Sequence, residues 1–105
     1  MRYEFHLETL AEYLKATLFY RDRQPGLDVR FVAAVEQTMD RILDIPGRWP
    51  LLREDVRRCL THVFPYRILY PIEKDYILIL AIMYCSRKPD YWKHRHKHKG
   101  SRSHD

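Results

Sequence analysis

Apolar and polar positions alternate at the start of the chain. Tyr3, Phe5 and Leu7 are separated by Glu4 and His6, with Arg2 in front, the period-two signature of a strand with one buried face. The period then lengthens. Thr9 followed three residues on by Glu12 makes a capping-box pattern, and Leu10, Leu14 and Leu18 recur at helical spacing beside Tyr13 and Thr17, predicting a first helix that runs to about Arg23. Gln24-Pro25-Gly26 breaks it. Asp28 is placed to cap a second helix, on which Val32, Val35, Met39 and Ile42 form an apolar stripe, ending near Ile45 before Pro46-Gly47. So short a connection predicts an antiparallel hairpin whose stripes cover one face of a sheet.

Arg48-Trp49-Pro50 opens a loop of about ten residues, after which the pattern is β-rich to near the end. Arg57 to Phe64, Tyr66 to Ile72 and Tyr76 to Tyr84 are three runs separated by Pro65 and by Glu73-Lys74-Asp75, a meander. The last run is apolar on both faces, as a central strand between two layers must be, so the N-terminal strand is expected to pair with it or lie beside it. Pro71 cannot donate to a ladder, which predicts a bulge or a locally unpaired stretch there. Pro89 is suited to start a short helix bearing Tyr91, Trp92 and Arg95. The expected fold is α+β in the order β-α-α-β-β-β, with a helix hairpin on a small, mostly antiparallel sheet and a short C-terminal helix. Residues 1–95 form one domain, and residues 96–105 a basic flexible tail.

Length and charge narrow the function. A chain of 105 residues has room for one core but not for a core plus a large metabolic cleft. Lysine and arginine outnumber the acids 19 to 14, and from Lys93 to Lys99 every residue is basic or histidine, a field that suits phosphate or acidic protein. His94, His96 and His98 in that run could bind anions or weakly hold a metal ion, but ordering a flexible tail around a metal is entropically costly. Cys59 and Cys85 lack metal-type spacing and read as reduced and buried or half-buried. Charges at Arg2, Glu4 and Glu8 argue against a signal peptide, and no apolar run approaches the roughly 20 residues that cross a bilayer. The chain is expected to be soluble and cytoplasmic, with no membrane partner.

Arg67 interrupts the apolar run Tyr66 to Tyr70 and must meet solvent, a carboxylate or a phosphate, while Arg87 follows the last strand. Antiparallel pairing brings these two towards Arg57, Arg58 and His62, although alternation lets only some share a face. Tyr91 and Trp92 lie close enough to wall such a site, and arginine beside an aromatic ring is a common way to hold a splayed nucleotide. The same residues have a structural reading: Trp92 pins the last helix to the sheet, and Arg67 is a half-buried stem with an exposed head.

The strings Phe64-Pro65-Tyr66-Arg67-Ile68-Leu69-Tyr70, Ile79-Leu80-Ala81-Ile82 and Ser86-Arg87-Lys88-Pro89-Asp90-Tyr91-Trp92-Lys93-His94-Arg95 together resemble the RelE/ParE superfamily of bacterial type II toxin–antitoxin (plasmid stabilisation) toxins, over roughly residues 1 to 95. The resemblance implies a growth-arresting toxin acting in one of two ways, of which Arg67 and Arg87 with a nearby aromatic residue favour the first, mRNA cleavage, with gyrase inhibition as the alternative. A RelE-like toxin is an endoribonuclease that cuts mRNA on the ribosome without metal or cofactor, the RNA 2′-hydroxyl attacking the adjacent phosphate. In that reading Arg67 and Arg87 contact the scissile phosphate, Tyr91 stacks on a base or bonds the nucleophile, and Arg57, Arg58, Lys88, Trp92 and Arg95 bind RNA. RelE-type nucleases commonly carry lysines on the preceding strand where this chain has Arg57, Arg58 and His62, so His62 is the group left to move a proton. A ParE-like toxin instead inhibits DNA gyrase and needs no nuclease chemistry, and a degenerate toxin would keep only the fold. Every version expects a cognate antitoxin with an acidic amphipathic segment, whose helical part is expected in the groove of the helix hairpin.

Overall fold

A computed structural model describes residues 1–88 and 90–96. Pro89, the expected helix start, and residues 97–105 of the expected tail lie outside them. The elements run β1 (Arg2–Phe5), α1 (Leu7–Arg23), α2 (Leu27–Asp44), a 3-10 turn (Pro46–Arg48), β2 (Leu51–Arg53), β3 (Val56–Leu60), β4 (Tyr66–Pro71), β5 (Tyr76–Ile79), β6 (Ala81–Tyr84) and a second 3-10 turn (Lys93–Arg95). The α+β class and the helix hairpin on a small, mostly antiparallel sheet are as the periodicity predicts. The C-terminal helix appears only as the three-residue turn, and β2 falls within the expected loop.

β2, β3, β4 and β6 form an antiparallel sheet in that order, and β1 pairs in parallel with β5. β5 and β6 are the two arms of the predicted central strand, parted by Leu80, whose N–H donates to the Leu69 carbonyl at 2.8 Å. Leu69 faces Ala81, yet Ile72 faces Ile77, so the last run carries one residue more than its partner. The irregularity expected at Pro71 is therefore real but falls on the opposite strand; Pro71 itself stays in register with Val56.

The bent strand is buried on both faces, and its side chains divide between two cores. Ile77, Ile79 and Ile82 join Phe31, Val35, Met39 and Ile42 of α2 with Cys59, Ile68 and Tyr70 on the helix side. Tyr20, Phe31, Phe64 and Tyr66 knit that layer, with ring centroids 4.9 Å (Tyr20–Phe31) to 6.3 Å (Tyr20–Tyr66) apart. On the far side Leu80, Ala81 and Met83 pack with Val56, Leu69 and Trp92.

The helices correct three expectations. Thr9 and Glu12 do not cap α1; His6 does, its Nδ1 accepting from the Glu8 N–H at 3.1 Å. Asp28 does not cap α2, which follows Gly26 in the left-handed region (φ 84°) with no side-chain cap. The Leu10, Leu14 and Leu18 stripe faces outward: Leu7 is 80% and Leu14 60% exposed. Thr9, Tyr13, Ala16 and Tyr20 turn inward instead. The reason lies in the competing aromatic stripe, whose larger rings interlock with Phe31 and bury more area than the leucines would. α1 is thus apolar on two sides, unlike the one-sided helix of a finished surface. Replacing Leu14 by Gln is expected to change unfolding free energy in urea by no more than about 0.5 kcal/mol, whereas Phe31→Ala is expected to cost about 3–5 kcal/mol.

Candidate functional site

The outer edge of β6 is where the two ends of the chain meet. The Ile82 N–H and the Leu80 carbonyl point off the sheet, and α1 supplies their partners: Glu12 Oε1 accepts from Ile82 N at 3.1 Å, and Thr9 Oγ1 donates to the Leu80 carbonyl at 2.6 Å. The C-terminal segment closes over the same place. Tyr91 donates its hydroxyl to Glu12 Oε2 at 2.6 Å, and Arg95 Nη1 donates to Glu12 Oε1 and to the Leu80 carbonyl, both at 3.2 Å. Arg87 lies 3.9 Å from Glu12 and 3.9 Å over the Tyr91 ring. With side chains only 13% and 7% exposed, Glu12 and Arg95 form a nearly buried charge pair.

This arrangement fixes the chemistry of the C-terminal residues. Burial, reinforced by the bond to Glu12, raises the Tyr91 pKa well beyond the ordinary tyrosine range. Tyr91 therefore stays a neutral donor and is a poor proton acceptor. Nearby, the hydrogen bond from His94 holds Glu8 below the usual carboxylate range, and His96 reaches Asp55 at 3.1 Å. Four groups between Tyr91 and His96 are thus tied to acids elsewhere in the chain.

The remaining sequence candidates are dispersed. Arg87 and Tyr91 are together, as expected, and Arg95 joins them. Arg67 faces Met83 across β4 and β6, and by alternation shares the sheet face of Leu69, away from the helices. Arg87 instead turns to Glu12 and the Tyr91 ring, so the two arginines have different partners. Arg58 sits on the same face as Arg67, opposite Leu69, and neither guanidinium is matched by a carboxylate. Arg57 turns the other way and donates to the Trp49 carbonyl at 2.7 Å. His62 and Lys88 are exposed. Trp92 is 2% exposed within the far core layer, which leaves no ring face for a base and matches the pinning reading.

Sequence reasoning missed Glu12, whose pairing with Thr9 resembled a cap. One signal was present: Glu12, Ala16 and Tyr20 fall at four-residue steps, which puts an acid on the helix face that also carries aromatic residues. Cys59 and Cys85 are free, the first buried, and burial pushes the Cys59 thiol up. Among the described residues no group of three or more His, Cys, Asp or Glu could hold a metal ion, and no helix is long and apolar enough to cross a membrane.

Two cavities flank the sheet. One, of about 820 Å3, runs between α1 and β6 and includes Phe19, Tyr20, Ile82, Tyr84 and Arg87 in its walls. The other, of about 620 Å3, lies between Trp49 and the end of β3.

The family model for the ParE toxin of the type II toxin-antitoxin system, parDE, matches residues 3–89. The matched span holds Arg57, Arg58, His62, Arg67 and Arg87 and stops short of Tyr91, Trp92 and Arg95. No curated protein matches the chain.

Removing the central carboxylate leaves the buried Arg95 with only the half-exposed Glu8, 3.7 Å away, as a charge partner. Glu12→Ala is accordingly expected to cost about 3–5 kcal/mol in urea denaturation. The double variant Glu12→Gln plus Arg95→Met should lose less than the two single changes added together. Additive losses would show that the pair is not coupled.

Proposed function

The chain belongs to the family of ParE toxins of type II toxin–antitoxin systems, and from that premise we propose that it arrests growth by binding and blocking DNA gyrase, without cleaving RNA. The observation that carries this reading is the engagement of Tyr91 and Arg87 by Glu12. Transesterification of RNA needs a proton acceptor and charge stabilisers converging on one phosphate. Here the tyrosine is held neutral, and His62 stands in a turn beyond β3 while Arg87 follows β6. A binding toxin needs only a stable cationic surface with hydrophobic anchors.

The membership also implies an antitoxin. In this reading it covers the outer leucines of α1 and the neighbouring cavity against β6, rather than the cleft between the helices. Leu7, Leu10, Leu14 and Leu18 are exposed on the outer face of α1, and on its flank the cavity is lined by Phe19, Lys15 and Arg23 rather than by these leucines. That combination favours an amphipathic helix with acidic flanks.

Purified toxin is expected to inhibit supercoiling by gyrase and to leave mRNA intact in cell-free translation. Cleavage of mRNA that disappears in Arg67→Ala plus Arg87→Ala protein would overturn the proposal in favour of the RelE-like reaction. Leu14→Gln plus Leu18→Gln is expected to weaken antitoxin binding at least about tenfold, with wild-type inhibition of gyrase; unchanged antitoxin affinity would move the contact elsewhere.

A further inference from the structure

β3 has an open edge. β2 covers it only at Val56 and Arg57, the Arg58 N–H reaches the Pro50 carbonyl at 3.0 Å, and among the described residues no strand lies beside Leu60 on that edge. The cavity of about 620 Å3 occupies this edge, with Arg41, Trp49, Arg58, Thr61 and His62 in its walls and no acidic residue among them.

Two of its donors lack acceptors. Arg41 is held in place by bonds from Nη2 to Thr38 Oγ1 and to the Leu60 carbonyl, both 3.1 Å, and its guanidinium lies 5.6 Å from the Trp49 ring centroid. Arg58 Nε and the Trp49 indole N–H are buried with no partner. Two cations facing one cavity with no carboxylate in its walls repel each other unless an anion shares the site. A wall of Trp49, Pro50 and Leu60 extends beyond what inorganic phosphate would touch, and the volume is that of sites for small organic ligands, about 300–1,000 Å3.

We propose that this cavity is a binding site for a small organic phosphate, with Arg58 and His62 taking the phosphate and Trp49 flanking the organic body. Arg41 adds charge from a fixed position. The site shares no residue with the Glu12 cluster and stands independently of the gyrase reading, since binding here requires no contact with the toxin's target.

The test uses the full chain labelled with 15N and follows its two indole N–H signals by NMR, distinguished with Trp49→Phe. Adenosine monophosphate is expected to shift the Trp49 signal saturably and to leave Trp92, in the far core layer, unmoved. Adenosine and inorganic phosphate, titrated separately, are expected to bind more weakly. Arg58→Gln and His62→Gln are each expected to raise the Kd by about tenfold; His62 is exposed in a turn, so its variant reports on binding even where Arg58→Gln unfolds. No shift with adenosine monophosphate would overturn the proposal. So would adenosine or phosphate binding as tightly as the nucleotide, or wild-type affinity in the His62→Gln protein.

Discussion

The outer edge of β6 carries backbone groups that no strand covers, and the Glu12 carboxylate meets them from α1. One oxygen accepts the Ile82 N–H and an Arg95 N–H, the other the Tyr91 hydroxyl. An open sheet edge invites pairing with another chain, and a buried N–H left unmatched costs about 1–3 kcal/mol. Glu12 removes both problems because its two oxygens face donors from three parts of the chain. A carboxylate so little exposed needs compensating charge, which Arg95 provides from the C-terminal segment. The first helix, the last strand and the chain end are thereby held by one group.

That constraint shapes the surfaces left for partners. Tyr91 and Arg95 are spent on the edge, while further cations stand elsewhere: Arg58 and Arg67 on the sheet face away from the helices, and Lys15 and Arg23 around the cavity beside α1. The structure thus offers separate surfaces rather than one convergent centre. The gyrase-binding proposal draws on this division, because binding energy can be gathered over a broad area whereas proton transfer needs groups within hydrogen-bond reach.

The far core layer completes the picture. Trp92 lies over Leu69, Ala81 and Met83, so the segment that supplies Arg95 is anchored by burial as well as by charge. His96 and Asp55 extend the clasp toward the turn between β2 and β3. The family match ends before this segment, although the fold of the matched part leans on it through Glu12.

By itself the sequence determined the order of elements, both helix spans to within a few residues, the two-faced burial of the last run and the resemblance that the family match bears out. These are local properties, written in spacing of 2 or 3.6 residues and in prolines and glycines. β2 stayed hidden because its turn uses Glu54 in the left-handed region (φ 50°), where a glycine would have announced it. The stripe chosen for α1 was the wrong one of two, since periodicity counts apolar residues but does not weigh leucines against aromatic rings. The position of Arg67 relative to Arg87 and the role of Glu12 depended on contacts as much as 83 residues apart. Only the tertiary structure decided them, because a charge's partner is set by which edge the folded chain brings it to, and no local pattern encodes that distance.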